Sequence, residues 1–167
     1  LCQELGCELI LINDEDGEEY VTPEMLAPYL DDDVALVTFS VIQYRSGALH
    51  DIARISQMTR DAGALCVWDA SHAVGVVPMQ LDHDNAGLAI GCTYKYGNSG
   101  PGSPGWLYVS KSLQQELHVP IQGWFAQDDQ FAMAQGFDRS PTIRGFQIAS
   151  PSIIGLRCVQ TSFEMIA

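Results

Sequence analysis

Lysine is almost absent from this chain. Lys95 and Lys111 are its only two in 167 residues, and 8 basic residues stand against 21 acidic ones, a net charge of −13. Nonspecific binding to nucleic acid or to an anionic membrane surface needs clustered Lys and Arg, so this balance argues against both. No run of 18 apolar residues occurs, and no membrane-spanning helix is expected. The opening Leu1-Cys2-Gln3-Glu4-Leu5 lacks an initiator methionine, and it has neither the basic region nor the apolar core of a secretory leader. The cysteines Cys2, Cys7, Cys66, Cys92 and Cys158 are odd in number and irregular in spacing. They include no CxxC pair, so zinc is not expected, and reduced thiols in a cytosolic protein are. Missing too are the GxxxxGK[ST] of a nucleotide loop, the GxSxG of a hydrolase elbow, any internal repeat and any low-complexity tract.

Apolar residues are plentiful. At 47% hydrophobic, 167 residues can bury the core of one globular domain. The acid is concentrated in Asp14-Glu15-Asp16-Gly17-Glu18-Glu19 and Asp31-Asp32-Asp33. Both read as solvated loops, and the first lacks the ligand spacing of a calcium loop. Residues 1–6 read as the tail of a helix stopped by Gly6, and Cys7 to Ile12 as a short strand. Thr22-Pro23 opens a helix to about Leu30. Val34 to Phe39 is an apolar run of the kind buried on both faces of a sheet. Asp51 caps a helix to about Ala62, with Ile52, Ile55, Met58 and Thr59 on one stripe and Gly63 as its stop. Ala64 to Trp68, Leu88 to Cys92 and Gly105 to Val109 are further strands. Ser110 caps a helix to about Leu117, residues 118–150 form a long structured loop, and a last helix starts at Ser152. This alternation predicts an α/β fold with a mostly parallel sheet and flanking helices.

In such sheets ligands gather at the carboxyl ends of the strands, and Ser40, Asp69 and Lys95 all fall at or just past such ends. Each has an ordinary reading when taken alone: Lys95 as a surface lysine, Asp69 as a cap or loop aspartate, His72 as a loop histidine. Together they suggest more. Lys95 sits between Tyr94 and Tyr96 after a short apolar strand, where partial desolvation would leave its amine neutral often enough to attack an aldehyde. Asp69 follows Leu65-Cys66-Val67-Trp68, and a carboxylate ending a buried strand needs a partner. The protonated ring nitrogen of pyridoxal phosphate is such a partner. The run 97–105 carries four glycines with Pro101 and Pro104, and reads as a rigid turn behind the lysine rather than a phosphate cradle. No metal is expected: His50, His83 and His118 lack ligand spacing, and Asp82-His83-Asp84 reads as a solvated turn.

The stretch Thr93-Tyr94-Lys95-Tyr96-x-Asn98-x-Gly100-x-Gly102, preceded by Trp68-Asp69-Ala70-Ser71-His72-Ala73-Val74-Gly75, resembles kynureninases. These are fold-type-I pyridoxal phosphate enzymes of the aminotransferase class V group. Ser40 with Tyr44-Arg45-Ser46-Gly47, Gly123-Trp124-Phe125, and Arg144 to Pro151 extend the resemblance over nearly the whole chain. It implies that residues 1–167 are part of a cofactor-binding large domain, without its N-terminal phosphate loop and the C-terminal small domain. By resemblance Lys95 would hold the cofactor covalently, Asp69 would pair with its ring nitrogen, and His72 would contact it beside that acid. Tyr94 would donate to the phosphate and serve in proton transfer, Ser40 would line the cofactor site, and Trp124 and Ser150 would reach the phosphate across a dimer interface. The implied reaction is hydrolysis of L-kynurenine or its 3-hydroxy form to an anthranilate and L-alanine. That reaction belongs to tryptophan catabolism by the kynurenine pathway, toward NAD biosynthesis, in a cytoplasmic homodimer. A cysteine desulfurase is the enzyme alternative, although such enzymes carry histidine where this chain has Tyr94 and need a cysteine on a mobile loop. A catalytically inactive fragment or interaction module is the alternative outside enzymes.

Overall fold

A computed structural model describes residues 2–12, 20–133 and 135–167. The acidic run 14–19, expected to be a solvated loop, lies outside the described residues. Four strands form one sheet in the order β1 (Leu36–Ser40), β2 (Leu65–Asp69), β3 (Leu88–Gly91) and β4 (Trp106–Val109). The first three are parallel, and β4 runs antiparallel to β3. This is the mostly parallel α/β sheet that the alternation of apolar runs predicts.

Trp68 in β2 centres the core and is fully buried. Its indole N–H donates to Ser56 Oγ at 2.9 Å, which fastens the helix α3 (Ile52–Asp61) to the sheet. Asp51 caps α3 by accepting from Arg54 N at 2.9 Å, and Gly63, at φ +80°, ends it. The buried stripe is Ile52, Ile55, Ser56 and Thr59, while the expected Met58 is only half-buried. Ser56 takes the inward place because it meets the indole. Burial of a side chain such as Ile55 contributes about 1.5–3 kcal/mol.

Other elements depart from expectation for local reasons. The helix from Thr22 is α2 (Pro23–Leu26), which tightens into a 3₁₀ turn at Ala27–Tyr29. Thr22 does cap it, accepting from Met25 N at 3.3 Å, but Pro28 has no N–H with which to continue the α-helical ladder. β1 begins at Leu36 rather than Val34, because Val34 N–H is spent on the Asp31 carbonyl in the preceding turn. Cys7 to Ile12 is not a strand. Its backbone meets no ladder partner among the described residues, and Leu9, Ile10 and Leu11 are exposed. An apolar pattern alone does not make a strand without a neighbour to pair with. The opening helix is α1 (Cys2–Leu5), followed by Gly6 at φ +70°. Ser110 stands at the N-cap of α4 (Lys111–Glu116), yet its hydroxyl bonds Ser112 Oγ instead of a backbone N–H.

Residues 118–150 fold around two 3₁₀ turns, Trp124–Ala126 and Ile143–Phe146, joined by a bridge between Gln127 and Arg139. The final helix α5 (Ile153–Ile166) is capped by Ser152, which accepts from Gly155 N at 3.1 Å. It lies over the glycine-rich turn: a Cβ on Gly155 would sit 2.8 Å from Pro104 Cδ, and one on Gly97 3.0 Å from the Phe163 ring. Among the described residues no helix is long and apolar enough to cross a membrane.

Candidate active site

Strand register sets the frame. Ser40, ending β1, pairs with Asp69, ending β2, and Asp69 pairs with Ile90 in β3. Neighbouring strands lie about 4.8 Å apart and registered residues point to one face. Ser40 and Asp69 therefore stand side by side at the carboxyl edge, on the face opposite Trp68. Asp69 Oδ1 accepts from Ser71 N at 2.8 Å, a tight turn that fixes the carboxylate, and its other oxygen has no partner among the described residues. Ser71 also reaches the next strand end. Its Oγ accepts from Cys92 N at 3.3 Å, and its carbonyl accepts from Cys92 Sγ at 3.8 Å. The acid turn and the lysine segment are thus stitched together two residues past Asp69 and three before Lys95.

Lys95 sits on a bend four residues past β3. Thr93 Oγ1 donates to the Pro104 carbonyl at 2.6 Å and so closes the loop across the glycine-rich turn. Asn98, at φ +54°, donates from its backbone to Lys95 O at 3.0 Å and from its side chain to Tyr96 O at 2.9 Å. The Lys95 side chain is half-buried, with Nζ 5.9 Å from the Tyr94 ring centroid. Among the described residues no carboxylate pairs with it. A partly buried amine on a braced loop, without a counter-charge, is suited to act as a nucleophile.

His72 lies in the turn after Asp69, between two rings. Tyr44 stacks on one side at 6.2 Å and Tyr96 meets it edge-on at 6.3 Å. Gly75 makes that approach possible: at φ +81°, a Cβ there would sit 2.8 Å from the Tyr96 carbonyl oxygen. Tyr44 is carried on the tip of the loop 41–50, whose arms meet at Ile42 and Leu49. Three chain segments, which carry Ser40, Asp69 with His72, and Tyr94 with Lys95, so meet through Tyr44, His72 and Tyr96.

Trp124 and Ser150 lie in a different group. Gly123 is packed directly on the Ile148 carbonyl, which keeps the two segments adjacent. The half-exposed Trp124 ring contacts Phe125 at 4.6 Å and Phe131 at 6.4 Å, and Ser150 is exposed. No hydrogen bond or ring contact among the described residues joins this pair to the lysine patch. The donor set of that patch, an oriented carboxylate with an open oxygen and an amine without a counter-charge, could hold a cofactor bearing a cationic ring nitrogen and an aldehyde.

Tyr44, Ser71, Tyr96 and His50 shape the site without having been singled out as its members. Asp-x-Ser is a recognisable turn pattern and could have marked Ser71. The ring contacts of Tyr44 and Tyr96 depend on tertiary approach and leave no local trace. His50 is buried, with Nδ1 2.8 Å from the Ser40 carbonyl oxygen, and that burial lowers its basicity.

A lysine loop and a strand-end acid on such a sheet define a class, and the chain matches the Aminotransferase class-V family over residues 1–167. It belongs to that family. Among curated proteins it is similar to the kynureninase of Burkholderia mallei (strain SAVP1), 37% identical over 160 residues, which are 96% of this chain and 36% of that protein. The kynureninase of Pseudomonas fluorescens is 36% identical over 146 residues, 87% of this chain and 35% of its own length. The chain thus spans about a third of the curated relatives it matches. Among solved structures, the cystine C–S lyase C-DES superposes with a TM-score of 0.83 at 14% identity, covering 99% of this chain and 44% of that one. The Escherichia coli cysteine desulfurase CsdA gives 0.81 at 14% identity, with 99% and 40% covered. At those identities the likeness is one of fold.

Proposed function

We propose that this chain is part of the cofactor-binding large domain of a pyridoxal phosphate-dependent kynureninase. The enzyme would hydrolyse L-kynurenine or 3-hydroxykynurenine to the corresponding anthranilate and L-alanine. The observation that carries the reading is the register that sets Asp69 between Ser40 and the strand leading to Lys95. Kynureninase relatives at 37% identity support the substrate class, and a solved C-DES variant whose glycine ligand is linked to a pyridoxal phosphate cofactor supports the cofactor on this fold.

When bound, pyridoxal phosphate supplies an aldehyde for an amine and a cationic ring that draws electrons from the substrate's α-carbon. Lys95 Nζ would hold the cofactor and afterwards carry a proton at Nζ. Asp69, oriented by Ser71 N–H, would keep the ring nitrogen protonated through its open oxygen. His72, held between Tyr44 and Tyr96, would lie against the cofactor and exclude water from that side. Tyr94 Oη would donate to the phosphate and hold a proton for transfer, and Ser40 would complete the near wall. Trp124 and Ser150 would serve the phosphate of a second protomer in a cytoplasmic homodimer. Neither nucleic acid nor membrane is a partner in this reading.

Tyr94, in place of a histidine beside the lysine, favours kynureninase over cysteine desulfurase. The test is release of anthranilate from L-kynurenine by the intact protein. Activity should disappear in Lys95→Ala and fall by about 10²-fold or more in Asp69→Asn, given the size of such electrostatic contributions. Persistent hydrolysis in Lys95→Ala, or sulfur release from cysteine without kynurenine hydrolysis, would overturn it.

A further inference from the structure

We infer that His50 is a positioning residue of this site: its imidazole clamps the Ser40–Val41 peptide from the side away from β2 and holds Ser40 in register with Asp69. This rests on the reading of Ser40 and Asp69 as cofactor contacts.

Everything turns on one peptide plane. Val41 N–H donates to the Asp69 carbonyl at 2.8 Å. In a trans peptide the preceding C=O points the opposite way, so the Ser40 carbonyl faces away from β2. Among the described residues β2 is the one strand paired with β1, and no strand meets that carbonyl. His50 Nδ1 meets it, at 2.8 Å. The other ring nitrogen, Nε2, accepts from Val21 N–H at 3.4 Å. A carbonyl only accepts and an amide N–H only donates, so these two partners select the neutral ring with its proton on Nδ1.

The ring has little freedom to turn. It is 6% exposed, stacked on Tyr20 at 5.2 Å and edge-on to Phe39 at 5.4 Å. The backbone of His50 adds a second grip, because its N–H donates to the Val41 carbonyl at 3.0 Å. That bond closes the base of the loop whose tip carries Tyr44 against His72. One residue therefore fixes Ser40 through its side chain and anchors the Tyr44 loop through its main chain. Loss of the imidazole would leave the Ser40 carbonyl unpaired at a partly buried position and let the peptide swing about its single remaining bond to Asp69.

The test compares the intact wild-type protein with His50→Leu and His50→Asn. Asparagine keeps a donor near the place of Nδ1, whereas leucine keeps only bulk. Three readouts are taken: pyridoxal phosphate affinity by absorbance titration, the His50 tautomer by long-range proton–nitrogen NMR, and thermal melting. Wild-type His50 should carry its proton on Nδ1. His50→Leu should weaken cofactor binding about tenfold, the scale of one hydrogen bond, and His50→Asn should recover most of that loss. An Nε2–H tautomer, or equal weakening in both variants, would overturn the inference. The tautomer result stands even if His50→Leu does not fold. Borohydride trapping at Lys95 in the wild type separates the two levels. Trapping with unchanged affinity in His50→Leu removes only the role of His50, whereas no trapping at all removes the cofactor reading and this inference with it.

Discussion

Replacing Gly75 by alanine should cost markedly more stability than the same change at Gly63, although the two backbones are nearly identical. Gly75 has φ +81° and Gly63 φ +80°. An L-residue forced into that region costs about 1–2 kcal/mol at either position. Around Gly63 nothing lies within 4 Å of an added Cβ, so the conformational cost is the whole effect. At Gly75 the Cβ would sit 2.8 Å from the Tyr96 carbonyl oxygen, 3.1 Å from its carbon and 3.3 Å from Ile166 Cδ1. The carbonyl cannot simply swing aside, because Asn98 Nδ2 donates to it at 2.9 Å. Pushing the acid turn off the lysine loop should add about 1–3 kcal/mol, the range for an overpacked site. Guanidinium unfolding of both variants measures the difference. Near-ultraviolet circular dichroism should change only in Gly75→Ala, as the contact between His72 and Tyr96 loosens. Equal losses in the two variants would refute the close approach that assembles the site.

Three more outcomes are expected. Ser56→Ala should cost about 1–3 kcal/mol in denaturant melts, because it strands the buried Trp68 N–H, and adding Trp68→Phe should cost less than the separate losses predict. His50 is held neutral by burial, with its basicity lowered from the usual 6.5, so only the unfolded chain takes up its proton as pH falls through that range. Stability should therefore be full above about pH 6.5 and decline below it by at most about 1.4 kcal/mol per unit from this group, a component absent in His50→Leu. Cys66 is buried and its thiol is pushed up to about 12, so alkylation followed by peptide mapping should label the exposed Cys7 and Cys158 and spare Cys66 until the protein unfolds.

Much of the sheet is legible in the sequence because its strands are short unbroken apolar runs, although only one face is well buried here: Val37, Trp68 and Ala89 are inside while Leu36 and Ile90 are exposed. Leu65 to Trp68 and Leu88 to Gly91 are two such runs, and the residues that follow them, Asp69 and Lys95, are the chemically conspicuous ones. The same rule fails at Cys7 to Ile12, where an equally apolar run has no neighbour among the described residues and stays out of the sheet. Helix starts at Thr22, Asp51 and Ser152 follow side-chain capping chemistry and fall where that chemistry predicts. Ser110 shows its limit, since a hydroxyl can choose another hydroxyl over the backbone. In the site, the residues at strand ends could be found from local pattern. Tyr44 and His50 could not, because their roles arise from a loop folding back on β1, and nothing local in the sequence distinguishes a buried histidine from an exposed one.

The most direct test of the central claim is borohydride reduction of the intact protein after addition of pyridoxal phosphate, followed by peptide mass mapping. A stable pyridoxyl adduct on Lys95, absent from Lys111 and lost in Lys95→Ala, is the predicted result. No adduct at Lys95, or equal labelling of both lysines, would contradict the cofactor site assigned to this patch.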